Sequence, residues 1–222
     1  MKRQVMVIGL GRFGSSVATT LFERGHDVLA IDQDERRVQD IMPHVTYSVM
    51  ADATSEAALR ELGVTNVDLA VVATGTQIQS SVLATVLLKR IGLPYVVARA
   101  ENELHGITLE KIGADLVIYP EQEAGERLAH NLAYTGVIDY LQLGEGFGVS
   151  KISPPRDYQG KTIDEVGLGP RSKSGLTVLI LKRENDVILT PDRFERIREG
   201  DILVIAGKDD SLERLEGSMD QG

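Results

Sequence analysis

The sequence predicts an α/β fold with a doubly wound parallel sheet, followed by a small α+β domain, and three observations predict it. Through the first part of the chain, short apolar runs alternate with amphipathic stretches, the pattern of strand, helix, strand units that feed a parallel sheet. Several helical stretches stop at Gly25, Gly63, Gly92 or Gly113, and glycine just past a helix takes the left-handed conformation that closes the last turn. After about Gly136 the pattern gives way to shorter strands separated by turn signals.

The elements follow in order. Gln4–Ile8 is an apolar run that meets a cluster of glycines, and residues 13–24 have helical spacing up to Gly25. Strands are expected at 28–31 and at Tyr47–Met50, with a helix at Glu35–Ile41 between them. Residues 56–62 form a helix that Gly63 ends, and the apolar run 69–73 is the fourth strand. The helix 79–91 ends at Gly92, strand five occupies 95–98, the helix 104–112 ends at Gly113, and strand six occupies 116–119. A last helix, 121–132, crosses over from the first domain, which is expected to span residues 1–136.

The second domain, residues 137–222, opens on a glycine-rich turn region, Leu143-Gly144-Glu145-Gly146-Phe147-Gly148. Short strands are expected at 149–152, 177–181, 187–189 and 202–206, and a helix at 209–215 closes the domain. Glu184-Asn185-Asp186, Pro191-Asp192 and Glu199-Gly200-Asp201 supply the turns between them.

Composition sets the outer limits. A chain of 222 residues holds one ordinary domain and a smaller one, and 42% hydrophobic with 26% charged residues is the balance of a globular protein. No apolar run approaches the roughly 20 residues that cross a bilayer, and the apolar run before Gly9 is too short for a secretory signal. Without cysteine there is no disulfide, thiolate metal site or cysteine nucleophile, and the cytoplasm is the expected compartment. A net charge of -9 with scattered basic residues argues against nucleic acid, whose phosphates need clustered Lys and Arg.

The chemistry concentrates at the start. Gly9-Leu10-Gly11-Arg12-Phe13-Gly14 fits G-x-G-x-x-G between an apolar strand and a helix, the context that a Rossmann-type nucleotide site requires. Gly9 permits the tight turn, Gly11 lets backbone approach a phosphate, and Gly14 lets helix and strand pack closely. The free amides at the helix start then face the phosphates, favoured by the helix dipole. Asp32, at the end of the second strand, can accept hydrogen bonds from both ribose hydroxyls and repels a 2′-phosphate, so NADP is disfavoured. Arg12 either folds over a polyphosphate in a bidentate fork or is a solvated arginine of the first helical turn.

No catalytic partner accompanies this site. His26, His44, His105 and His130 have no orienting group nearby in sequence, and G-x-S-x-G, P-loop, H-E-x-x-H and EF-hand patterns are missing. A binding module fits better than an enzyme; an NAD(H)-binding redox sensor and an NAD-dependent oxidoreductase stay open as alternatives.

Six segments together resemble one family, the RCK domains, also called KTN or TrkA-type domains, which regulate bacterial potassium channels and transporters. The first half is similar to the nucleotide-binding part in VIGLGRFG, VLAIDQDE, MADATSEAALRELGV, AVVATG and LEKIGADLVIYPEQEAG. The second is similar to the C-terminal ligand-binding part in IREGDILVIAG, and the nearest resemblance is to the cytosolic regulatory subunits of Ktr-type potassium uptake systems.

The resemblance implies a homodimer assembling into a regulatory ring, octameric by expectation, on the inner face of the cell membrane beneath a separate potassium-translocating subunit. ATP and ADP would favour different ring shapes. By position, Gly9, Gly11, Arg12 and Gly14 should meet the phosphates, Asp32 the ribose and Asp52-Ala53 the adenine, with Thr74-Gly75 and Arg99 closing the site. Arg12 would reach phosphate across the dimer. Glu121 matches a position where carboxylates of two subunits hold Mg²⁺ or Ca²⁺, or it complements the start of its helix. Cyclic di-AMP binds the C-terminal part of some members, near positions that fall here around Ile163, Arg171 and Pro191. The more glycine-rich stretch Val166-Gly167-Leu168-Gly169-Pro170-Arg171 departs from that pattern. Apolar faces on the helices at 82–88 and 128–132 serve either the core or a dimer interface.

Overall fold

The computed structural model describes residues 2–75, 77–169 and 172–219, which divide into two compact units at Pro120/Glu121. In the first, six parallel strands run in the order β3-β2-β1-β4-β5-β6. They are β1 (Gln4–Ile8), β2 (Asp27–Asp32), β3 (Tyr47–Met50), β4 (Leu69–Val72), β5 (Val96–Arg99) and β6 (Leu116–Ile118). Between them lie α1 (Arg12–Glu23), α2 (Glu35–Ile41), α3 (Glu56–Glu61), α4 (Ile78–Ile91) and α5 (Glu103–Lys111). The order reverses between β1 and β4, and at such a reversal the loops leave to opposite faces and open a crevice at the carboxyl ends.

The central strands β1 and β4 are apolar because both of their faces are covered. In β1, Val5 and Val7 enter one core with Ala18 of α1 and Val38 of α2. Met6 and Ile8 enter the opposite core with Leu59, Leu88 and Leu109 of α3, α4 and α5. Side chains alternate across a strand, so a strand buried on both faces shows no polar alternation. The helix starts are capped locally: Asp34, Ser55 and Asn102 each accept a backbone N–H of the first turn of α2, α3 and α5. Gly92 ends α4 in the left-handed region, at φ 95°.

The second unit contains α6 (Pro120–Ala133), an antiparallel sheet ordered β10-β9-β11-β8-β7, and α7 (Asp209–Met219). Its strands are β7 (Val137–Gly144), β8 (Phe147–Ile152), β9 (Thr177–Arg183), β10 (Asp186–Leu189) and β11 (Ile202–Lys208). Ile152, Leu181, Leu203 and Ile205 pack with Leu212 of α7 into one core. Arg183 fastens the end of this sheet: Nε and Nη2 donate to the buried Asp201 carboxylate at 2.9 and 2.8 Å, and Nη1 to Glu195 at 2.9 Å.

Two features differ from the expected organisation. The chain parts at Pro120, and α6 belongs with the second unit instead of closing a domain at residue 136. Its contacts explain this: Arg127 grips the Asp139 carboxylate of β7 through Nε and Nη2 at 2.7 and 2.6 Å, and His130 stacks on Tyr140 at 4.0 Å. The glycine-rich stretch around residue 145 is also more than a turn. Leu143 and Gly144 end a fifth strand, β7, which pairs with β8 in a hairpin whose bend holds Gly146 at φ 72°. As an edge strand β7 buries only Val137, so no core-facing alternation marks it. Among the described residues no helix is long and apolar enough to cross a membrane.

Candidate nucleotide-binding site

The site is built on the carboxyl edge of the parallel sheet. β1 turns away at Gly9, whose φ of 91° suits only glycine comfortably, and a β-carbon there would come within 2.6 Å of the Thr74 methyl. A β-carbon on Gly14 would overlap the Gly9 carbonyl oxygen, so α1 starts hard against the turn. Gly11 differs: it is the N-cap of α1, with φ -68° and no side-chain cap, and a β-carbon there would meet nothing within 4 Å. The glycines thus split into two that let the chain close on itself and one that leaves a cradle over uncapped helix amides. Such amides bind anions.

Asp32 is locked in place. Its Oδ2 accepts the Leu10 N–H at 2.6 Å and its Oδ1 the Asp34 N–H at 2.9 Å, while its side chain is only 10% exposed. A carboxylate has about four acceptor positions, so capacity remains for ribose hydroxyls. Arg12 lies exposed on the first turn of α1, and no described residue pairs with it. Phe13 packs half-buried on the core beneath α1, so its side chain props the helix.

The other expected residues cap successive strands. Ala51 N donates to the Asp32 backbone oxygen at 3.1 Å, which sets the loop after β3 beside the second strand. In that loop the Thr54 hydroxyl and N–H donate to Asp52 Oδ1 at 2.7 and 2.8 Å and hold this carboxyl below the usual carboxylate range. Asp52 therefore shapes the turn, and Ala53 is buried beside it. Ala73 N donates to Ile8 O at 2.7 Å, tying the end of β4 to β1. Thr74 Oγ1 is buried with no hydrogen-bond partner, an orphan of the kind that a bound ligand satisfies. The Arg99 side chain lies across Gly75, where a β-carbon would sit 3.0 Å from Nε. Contacts thus join Gly9 with Gly14 and Thr74, Leu10 with Asp32, and Gly75 with Arg99. The open cradle, spare carboxylate capacity and orphan hydroxyl fit a phosphorylated ribose.

Sequence reasoning missed Arg37. One turn into α2, its Nη1 lies 3.4 Å from Asp32 Oδ2 and its Nε 3.7 Å from Asp34 Oδ2. Its spacing of five residues from Asp32 was the available signal.

The remaining expected sites come together less. Glu121 stands exposed in the first turn of α6, in the second unit, and no group of three or more metal-ligating side chains occurs among the described residues. Ile163 is 1% exposed inside the second core, so its side chain is committed to packing. Pro191 is half-buried, and Arg171 lies outside the described residues. The same unit carries a cleft of about 360 Å³, lined by Tyr158, Val166, Leu168, Lys173, Arg214 and Leu215 among others.

Comparison with known proteins fixes the relationship. Residues 5–120 match the TrkA-N domain and residues 150–219 the TrkA-C domain. The chain belongs to the RCK, or TrkA-type, family. The Ktr system potassium uptake protein C of Bacillus subtilis (strain 168) is 37% identical over 216 residues, covering 97% of each chain. The Ktr system potassium uptake protein A of the same organism is 39% identical over 214 residues and 96% of each chain. That of Vibrio alginolyticus is 33% identical over 210 residues, 95% of this RCK chain and 94% of its own. The GsuK RCK domain superposes with a TM-score of 0.69 at 19% identity, over 99% of this chain and 48% of that one, a likeness of fold. The GsuK channel bound to NAD gives 0.68 at 17% identity, over 97% and 39%.

Proposed function

We propose that this RCK chain is a regulatory subunit that senses adenine nucleotides, ATP against ADP, and controls potassium flux through a separate membrane-spanning subunit. The observation that carries the reading is the pairing of an open phosphate cradle at Gly11 with Arg12 free at its rim. Three of the four histidines are committed to structure, which supports binding over catalysis: His26 Nδ1 accepts the Arg3 N–H, His105 is buried on α5, and His130 stacks within the second unit, while His44 is exposed after α2. The potassium uptake relatives supply the process.

In this reading the chain works on the cytoplasmic side of the membrane as a homodimer within a ring, octameric by family resemblance. The exposed Leu128 and Leu132 of α6 are apolar surface available to a second copy. Glu121 carboxylates of two subunits would hold Mg²⁺ or Ca²⁺. A second reading, an NAD(H)-binding redox sensor, is favoured by the Asp32 carboxylate and by the NAD-bound GsuK channel of the same fold. An oxidoreductase would in addition need an acid or base at the crevice.

Calorimetric titration with ATP, ADP, NAD and NADH, with and without Mg²⁺, tests the proposal. Tight ATP and ADP with weak NAD is expected, and NADH binding far more tightly than ATP would overturn it.

A further inference from the structure

A carboxylate on the ribose ordinarily excludes a 2′-phosphate by repulsion, and Asp32 cannot turn away, since backbone N–H groups of Leu10 and Asp34 hold both of its oxygens. The charge beside it is not that of a bare carboxylate. The Arg37 guanidinium stands 3.4 Å from Asp32 Oδ2, the carboxylate assigned to the ribose in the reading above. Its second contact, to Asp34, is longer at 3.7 Å. Of five guanidinium donors, these contacts occupy at most two, and the side chain is 52% exposed, so a planar fork stays open toward solvent. Arg36 beside it is exposed, and its side chain has no partner among the described residues.

The nearby acids are already engaged. Asp34 Oδ1 accepts the Arg36 N–H at 2.9 Å as the cap of α2, and Glu35 Oε1 accepts from Gln39 Nε2 at 3.1 Å. A phosphate on the 2′ oxygen would meet one fixed carboxylate and two guanidinium groups able to move toward it, and arginine matches phosphate bidentately.

We propose that Arg37 makes the ribose subsite permissive to a 2′-phosphate, so that this chain binds 2′-phosphorylated adenosine nucleotides beside the 2′-hydroxyl forms. The inference rests on the nucleotide reading above and names the group that sets specificity at that site.

The probes are ADP and 2′-phospho-ADP, titrated calorimetrically into the wild-type protein and into Arg37→Ala and Arg37→Lys, two variants that alter only an exposed side chain. In the wild type the two probes should bind within about tenfold of each other. Arg37→Ala should weaken 2′-phospho-ADP by roughly tenfold to a hundredfold, the loss of one charge-assisted contact, and ADP by no more than about threefold. Arg37→Lys, which keeps the charge but not the fork, should fall between. Rejection of 2′-phospho-ADP by more than about a hundredfold in the wild type overturns the proposal. So does an equal loss of both probes in Arg37→Ala, which would make Arg37 only a prop for Asp32. If the wild type fails to bind even ADP, the nucleotide reading itself falls and this inference with it, an outcome distinct from the other two.

Discussion

Gly11→Ala separates a ligand cradle from a structural glycine, because the fold gives it little to disturb. Gly11 has φ -68° and ψ -175°, a conformation open to any L-residue, and an added β-carbon meets no atom within 4 Å. The only intrinsic cost is alanine in place of glycine at an N-cap, about 0.5–1 kcal/mol. In a chain of 222 residues that moves the unfolding midpoint by roughly 1–4 °C. A bound phosphate changes the balance. Backbone amides hold a phosphate oxygen at roughly 2.9 Å, and a methyl group in that cradle pushes it out of hydrogen-bond range. Losing one or two charge-assisted hydrogen bonds costs about 1.5–3 kcal/mol each, so ADP affinity should drop at least tenfold. Titration calorimetry and thermal unfolding on the same preparation read both quantities. Unchanged ADP affinity in a folded Gly11→Ala protein would refute the placement of phosphate over α1.

Arg12→Ala should weaken ATP by roughly tenfold to a hundredfold more than ADP in parallel titrations, and equal losses would count against γ-phosphate sensing. Gly14→Ala, whose β-carbon would overlap the Gly9 carbonyl, should lower the urea midpoint far more than Gly11→Ala does. Arg183→Ala leaves the fully buried Asp201 with only the Arg198 N–H at 2.8 Å, and loss of one partner of a buried pair costs about 3–5 kcal/mol, measurable by urea unfolding. Burial pushes the His105 imidazole below its ordinary value of 6.5, so the folded state binds its proton less readily than the unfolded chain does. Its contribution to stability is complete above about pH 6.5 and is lost as the pH falls through the folded value, so His105→Gln should flatten the acid limb of a stability-against-pH curve.

What the sequence reveals of this molecule follows from how local each feature is. Gly9, Gly11, Gly14 and Asp32 are legible because two strand ends and a tight turn constrain them at short range, and the central strands β1 and β4 are legible because both of their faces are buried. The pairing of β7 is decided by β8 across a hairpin, and an edge strand that buries only Val137 carries no periodic mark. The place of α6 depends on Asp139 and Tyr140, which lie beyond its own residues. Arg37 reads as an ordinary surface cation until α2 turns it back onto Asp32. Ile163 shows the limit of a position carried over from a resemblance: it marks a region, while the packing of the second unit commits this side chain to the core.

A nucleotide switch needs more than a nucleotide site. The Gly11 cradle and Asp32 would contact groups that ATP and ADP share, so they contribute affinity without preference and cannot bias one assembly shape over another. Discrimination has to come from a group that meets the γ-phosphate and is otherwise uncommitted. Arg99 already lies across Gly75, and Arg37 is drawn to Asp32 and Asp34. Arg12 has no partner among the described residues, so pairing with a terminal phosphate breaks no existing ion pair and costs mainly the ordering of one exposed side chain. If a second copy presents that arginine, the same contact joins nucleotide state to subunit geometry. The difference in ATP over ADP affinity between dimer and monomer then measures the coupling, and a ratio independent of association would place Arg12 outside the switch.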